Sequence, residues 1–493
     1  MGVLCPLVGL APAGRVTYKS DAMGSDTCSA YPERLRTYGQ VGQGNDQDLV
    51  GAGRRLSAAL DALVRSSPDP TLLPRFPDWG SDLQGYGVRK AQIDAWVGQV
   101  GDAFEEAAGG TFDADTEVFT SSSTIDQLLA QDPRVQDALK LLHQLLGNSV
   151  FMSMDGQFVA ALVAQLHGMT PEQVQEVFWN LGDDQLKQLG VVLAIPFGTG
   201  VTLDERNAFV NVVLSTVDPN TMRRLMANMP DLEPDLRTHY LDHDYKGFNW
   251  SWQASAGPLW GPTGLPNPTE DIRQGDDGDC WFLAGLGAVG LSNPDLLRQH
   301  IRTNPNGTFT VTFYRDGKPV EITVTDDVPY GTKGTSGVQP YAHPGADGAD
   351  WAQIYEKAYA EFRGGYDDID GGFGDTSIAD LTGRHATRQD PGDYSLDQIQ
   401  QRLAQGYAIT TGSKSSDAPW WEFWSHPDRM DNDQVVTNHE YYVQSVDTSA
   451  HPPIITIVNP WGAGGGAPKY VRLTESEWHR YFSEVSMARV GSP

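Results

Sequence analysis

The hydrophobic period of the chain changes once, near Glu270, and that change limits the folds open to it. Between about residues 46 and 240 the apolar positions recur at helical spacing, as with Leu56, Leu60 and Leu63. In the segment DPRVQDALKLLHQLL, Val135, Ala138, Leu141, Leu142 and Leu145 fall on one face. Thr170 followed by Pro171, and Asp218 followed by Pro219, are helix starts: a capping side chain, then a proline whose missing N–H is not needed there. After Glu270 the texture differs. CWFLAGLGAVGL reads as a buried helix. TFTVTFYR and PVEITVTDDV alternate about a DGK turn and predict a hairpin. WAQIYEKAYAEF and LDQIQQRLAQG are helical, the second closed by Gly406, and YAITTG, HEYYVQSV and PIITIVNPW read as strands. Helices first and strands later predict an α+β arrangement rather than alternating βαβ units.

A chain of 493 residues is too long for one ordinary core. The expected divisions are a loosely ordered leader over 1–45, rich in Gly, Pro, Ser and Asp, then a separate helical domain over 46–240 and an α+β domain over 245–493. The aromatic, Gly/Pro-rich stretch FNWSWQASAGPLWGPTGLPNP leads into that last domain. No apolar run is long enough for a membrane span, and the N-terminus lacks the basic and apolar regions of a secretory signal, so a cytoplasmic protein is expected. The formal charge of −29 argues against nucleic acid and anionic lipid as partners, and suits hard divalent cations. Three cysteines are too few for a disulfide scaffold. Cys5 and Cys28 form a possible pair, which leaves Cys280 as the odd thiol.

The surroundings of Cys280 point to chemistry. A Gly/Asp-rich loop, QGDDGD, runs into the apolar helix, which places the cysteine at or near the helix start. The first N–H groups there are unpaired and the dipole end is positive, which stabilises a thiolate. Those N–H groups, together with the side-chain amide of Gln274, can donate to the oxyanion of a tetrahedral intermediate.

The segment QGDDGDCWFLAGLG resembles the nucleophile motif of the calpain family of cysteine proteases, Q-G-x-x-G-D-C-W, at Gln274, Gly275, Gly278, Asp279, Cys280 and Trp281. VEITVTDDVPY, WAQIYEKAYAEFRGGYDDIDGG, LAQGYAITTG, NHEYYVQSV and VNPWG resemble further calpain segments in family order, over roughly 245–493. The resemblance implies a papain-like, two-lobed domain, with a helical lobe over about 245–384 and a β-rich lobe over about 394–493. It implies that Cys280 attacks the scissile carbonyl of a protein or peptide substrate, that His439 is the base, and that Asn459 orients the histidine. Gln274 would complete the oxyanion hole and Trp461 would shield the His–Asn pair. The sequence departs from the family beside the histidine, where Asn438 and Glu440 replace the usual Gly and Ala. Strand alternation is expected to point Glu440 away from the cleft.

An EF-hand calcium loop is absent: in DDIDGGFGDTS, Tyr366 and Ser377 stand where the first and last ligands belong. By motif position, Asp271 and Asp367 match the calcium ligands that calpains carry in the protease core, so calcium is the expected cofactor. Ala463-Gly464-Gly465-Gly466 follows the N-P-W-G segment, which leaves a second site without its carboxylates. The insertion before His439 is aromatic, with Trp420, Trp421, Phe423 and Trp424 as either a lid or a self-packed loop. Two other readings compete: an acyl transferase on the same fold, and a catalytically idle binding module. The asparagine at 459 counts against the first, and the intact set of Cys280, His439 and Asn459 against the second.

Overall fold

The computed structural model describes residues 16–19, 27–30, 133–147, 155–194, 200–236, 238, 245–255, 257–415 and 429–491. Cys5, the Leu56–Leu60–Leu63 face and the aromatic run at Trp420–Trp424 lie outside them, and of Cys28 only the strand backbone is described. The chain forms two compact units, Met1–Gln136 and Asp137–Pro493. In the first, β1 (Val16–Lys19) pairs antiparallel with β2 (Thr27–Ala30).

The helical region consists of α1 (Pro133–Gly147), α2 (Asp155–His167), α3 (Pro171–Trp179), α4 (Asp183–Leu193), α5 (Leu203–Thr216) and α6 (Pro219–Asn228). Its starts follow local chemistry. Thr170 accepts from the Gln173 backbone while the Gln173 side chain accepts from Thr170, a capping box, and Asp218 accepts from Asn220 and Thr221. Val135, Ala138, Leu142 and Leu145 are buried along one side of α1.

A helical region does precede the strand-rich half, as expected. From Asp137 onward, however, the contacts form one compact unit, and the helices are not set apart. Buried polar pairs explain this. Arg206 on α5 pairs with Glu361, both nearly inaccessible, and Asn207 donates to the Glu361 carbonyl. Glu233 lies 2.7 Å from Lys357, again with both side chains buried. Asn306 donates to the carbonyls of Leu214 and Val217 at the end of α5, at 2.7 Å each. Each pair satisfies a charge or polar group that would be expensive to bury alone.

The strand-rich half opens with β3 (Asn249–Ala254) and α7 (Pro268–Asp271). It continues with α8 (Cys280–Ser292), α9 (Pro294–His300), β4 (Ile301–Thr303), β5 (Phe309–Arg315), β6 (Lys318–Val324), β7 (Asp327–Lys333) and β8 (Ser336–Val338). The predicted β5–β6 hairpin turns through Asp316 and Gly317, both at positive φ, the conformation such tight turns require. Helix α10 (Trp351–Arg363) packs its aromatic side on α8, with the Phe282 and Tyr359 rings stacked at 3.9 Å.

Next come α11 (Gly374–Thr382), β9 (Thr387–Gln389), α12 (Leu396–Ala404), β10 (Tyr407–Ser413), β11 (Glu440–Asp447), β12 (Ile454–Val458), β13 (Tyr470–Thr474), α13 (Glu475–Tyr481) and β14 (Phe482–Arg489). The antiparallel sheet runs β13-β12-β11-β10-β14-β9. Helix α8 lies against it so closely that a Cβ on Gly287 would come within 2.8 Å of the Tyr442 ring. This contact sets the helix that carries Cys280 on the sheet that carries His439.

Candidate active site

Cys280 is the first residue of α8, after Asp279 at the N-cap, and its side chain is partly exposed. The loop before it is tied down on several sides. The Gln274 N–H donates to the Pro460 carbonyl at 2.9 Å, and Gly371 donates to Gly278 at 3.0 Å. The Trp281 indole donates to the Ile369 carbonyl at 2.8 Å. The thiol-bearing loop is thereby fastened to the turn that carries Asn459.

His439 directly precedes β11, and Asn459 directly follows β12, its antiparallel neighbour. His439 Nε2 lies 2.8 Å from Asn459 Oδ1, and the same oxygen accepts the Trp461 N–H at 3.0 Å. An oxygen that accepts a backbone N–H must face the ring as an acceptor, so Nε2 is the donor. Neutral His439 then keeps its lone pair on Nδ1. The Trp461 ring packs on the imidazole at 4.8 Å, and Tyr441 meets it edge-on at 4.9 Å. The backbone enters through Asn438 at φ 52°, a left-handed conformation that asparagine tolerates better than most residues. That explains how a non-glycine residue fits where the family pattern has Gly.

Gln274, Cys280, Trp281, His439 and Trp461 line one cleft of about 430 Å³, with Asn459 buried behind the histidine. Gln274 donates its side-chain amide to the Asp277 carbonyl at 2.7 Å.

Two expectations change here. Glu440 does not point away: it lines the cleft, as does Glu484. Alternation fails as a guide because Glu440 is the first strand residue, after a left-handed turn at Asn438, and pairs with Gly412, which has no side chain to fill the space. The second concerns the thiol. Burial pushes the Cys280 pKa well up, and the carboxylates of Glu440 and Asp279 add to this, against the backbone N–H groups that lower it. The helix start alone does not make a thiolate at rest. Burial also lowers His439 to about 4, opposed by its bond to Asn459. Both directions favour the neutral forms, a thiol and a neutral imidazole.

The family model for calpain family cysteine proteases matches residues 264–484. Those residues form a calpain-type catalytic domain. The calpain domain is 30% identical over 205 residues to mouse calpain-8, a match covering 39% of this chain and 28% of that protein. It is 30% identical over 227 residues to rat calpain-13, covering 44% and 32%. A maize calpain-type cysteine protease, DEK1, is 28% identical over 232 residues, covering 44% of this chain and 10% of that protein. The matched region thus spans no more than about a third of these relatives.

The two calcium candidates of the calpain domain have different neighbours. Asp271 is buried; its Oδ2 accepts from the Trp351 indole at 2.6 Å and from Asn267 at 2.7 Å, while Oδ1 has no hydrogen-bond partner. Burial and nearby Asp347 raise its pKa to about 6. Asp367 acts instead on Asp277 and Asp368. Among the described residues, no group of three or more acidic, His or Cys side chains forms a metal cage. Sequence reasoning missed a buried acidic group beside the nucleophile. Asp277 and Asp279 are buried beside Glu356, which shares a hydrogen bond with Asp279 and is raised to about 8 mainly by burial. In a loop rich in Asp and Gly, no sequence pattern separates such inward carboxylates from solvent-facing ones.

Proposed function

We propose that the chain is a cysteine endopeptidase that hydrolyses exposed, extended segments of proteins, with Cys280 as nucleophile, His439 as base and Asn459 as the residue that orients it. The support is one arrangement: a histidine held by Asn459, packed under Trp461, and sharing a cleft with a cysteine at a helix start.

The chemistry follows from that arrangement. The thiol proton passes to His439 Nδ1 as sulfur attacks the scissile carbonyl, because neither group is ionised beforehand. The resulting oxyanion is met by the unpaired N–H groups at the start of α8 and by the Gln274 amide, which retains a second N–H. The imidazolium returns its proton to the leaving amine. Water, deprotonated by the same nitrogen, then hydrolyses the thioester and restores the thiol. Trp461 keeps water from the His439–Asn459 bond, so the correct tautomer persists.

The start of the catalytic region near 245, its inner division between 384 and 394, and the two-lobed papain-like arrangement belong to the same reading, within the compact unit that also holds the helices. So does calcium. Asp271 retains a buried oxygen donor suited to a hard cation, and Asp367 is the second carboxylate the family pattern supplies. Bound calcium would order the loops around the nucleophile, and no proton or bond in the sequence above passes through it. The test is digestion of an unfolded protein in calcium and in chelator, by wild type and by Asp271→Asn. The calcium part fails if chelator and the variant both leave the rate unchanged. Intracellular action on cytoplasmic proteins is the setting this reading expects; among the described residues no helix is long and apolar enough to cross a membrane.

A further inference from the structure

The cleft that exposes Cys280 also contains a feature the triad does not use. Glu440 and Glu484 come together over Gly412: a Cβ built on that glycine would lie 2.7 Å from Glu440 Oε2 and 2.8 Å from Glu484 Oε1. Both glutamates line the cleft. Glu440 is only 4% exposed; among the described residues only the Thr410 hydroxyl lies beside its Oε1, short of good hydrogen-bond geometry. On its other side that oxygen packs against Gly374, where a Cβ would lie 2.5 Å from it and closer still to the Thr410 hydroxyl. Among the described residues the neighbouring charges are Asp375, Asp370 on the cleft wall, and one cation. That cation, Arg388, is 3.5 Å from Glu484 and 3.9 Å from Asp375, and its guanidinium lies over the Phe373 ring at 3.6 Å. Arg388 reaches Glu484 from the wall, and among the described residues Glu440 has no positive partner of its own.

A buried carboxyl on a cleft wall, with one oxygen so weakly matched, is costly to a folded protein unless something completes it. Burial and the adjacent Glu484 push Glu440 well above the usual carboxylate range, which a cation seated between the two would oppose. A guanidinium brings both a positive charge and several donors in a fixed fork, and can satisfy two carboxylates at once. An ammonium brings the charge with less directional fit, and an aliphatic side chain brings neither.

Building on the protease reading, we propose that Glu440 and Glu484 form a specificity pocket beside the nucleophile that takes a basic side chain of the substrate, arginine before lysine, close to the scissile bond. The recognised substrates are then extended segments with a basic residue next to the cleavage point. Any proton on Glu440 leaves to solvent when the cation enters.

The test has two arms, both on the full chain. In the first, quenched-fluorescence peptides that differ at single positions around the cut (Arg, Lys, Leu or Glu) are turned over by wild type, Glu484→Gln and Glu440→Gln. Glu321→Gln is the control for general attraction of basic peptides to an acidic chain, because Glu321 is an exposed partner of Arg302 far along the sequence. In the second arm, binding of the same uncleaved peptides to Cys280→Ala and to Cys280→Ala/Glu484→Gln is measured by calorimetry, which needs no turnover. The expected result is arginine preferred over leucine at one position. Glu484→Gln should lower kcat/KM and affinity for the arginine peptide about tenfold or more, the order expected for a lost charge-assisted hydrogen bond, while the leucine peptide and the control variant are little changed. Cleavage with leucine preferred, or an arginine preference that survives both glutamine variants, overturns the pocket and leaves the protease reading intact. An arginine preference in binding without any cleavage sustains the pocket and overturns the protease reading. Neither cleavage nor selective binding overturns both. Glu484 is partly exposed, so its variant remains interpretable if Glu440→Gln fails to fold.

Discussion

Asn459 Oδ1 accepts two hydrogen bonds, from His439 Nε2 at 2.8 Å and from the Trp461 backbone at 3.0 Å. The second bond fixes the first, because it prevents the asparagine amide from turning its NH2 toward the ring. His439 is thereby held in the tautomer that leaves Nδ1 free to take a proton. Asn459→Ala should lower kcat by roughly 10²-fold or more, within the range general-base catalysis contributes, with KM little altered. Steady-state kinetics check the split; a change confined to KM would place Asn459 in substrate binding instead.

The Asn438 turn gives a stability prediction. At φ 52°, an ordinary side chain pays for a left-handed backbone, while glycine does not. Asn438→Ala is expected to destabilise by about 1 kcal/mol and Asn438→Gly to be neutral or slightly stabilising. Thermal unfolding of both variants, with activity of the glycine variant retained, is the check.

Two groups bend the pH dependence of stability in opposite directions. His439 titrates at about 4 in the folded chain, below the ordinary value of 6.5. Its contribution is complete above about 6.5 and is lost as pH falls toward 4, since the unfolded chain then binds the extra proton. Glu356 is raised from 4.5 to about 8, so its contribution is complete below 4.5 and declines as pH rises to 8. Glu356→Gln should flatten the decline on the alkaline side, and His439→Gln the decline on the acid side. Urea midpoints across pH 4 to 8 test this; an unchanged profile in either variant would contradict the burial assigned to that residue.

The buried Arg206–Glu361 pair joins residues 155 positions apart. Arg206→Ala leaves a carboxylate inside the protein with only Lys357 as a nearby cation, and should cost about 3 kcal/mol or more. Residues 245–493 expressed alone lose both Arg206 and Glu233, and are expected to fold poorly. Circular dichroism and urea unfolding of the variant and the fragment decide this; a stably folded fragment would show that the helices are dispensable.

Much of the candidate site's geometry was legible because it is local. A cysteine at a helix start after a Gly/Asp loop, a histidine before an alternating strand, and an asparagine in a turn 20 residues on are each visible in the residue order. The hairpin at Asp316–Gly317 and the caps at Thr170 and Asp218 are local in the same sense. What escaped is long-range. No pattern announces that α5 docks on α10 through Arg206 and Glu361, or that β14 brings Glu484 beside Glu440. Alternation misplaced Glu440 because its strand begins at that residue. The raised thiol pKa likewise depends on burial by distant segments, which the helix-start rule does not weigh.

The measurement closest to the central claim is hydrolysis of an unfolded protein by the full chain and by Cys280→Ala, with a thiol-directed label read on the same samples. Wild type is expected to cleave and the variant not to, and labelling of Cys280 is expected to abolish cleavage in proportion. Equal cleavage by both, or a wild type that takes the label at Cys280 yet cuts nothing in calcium, would contradict it.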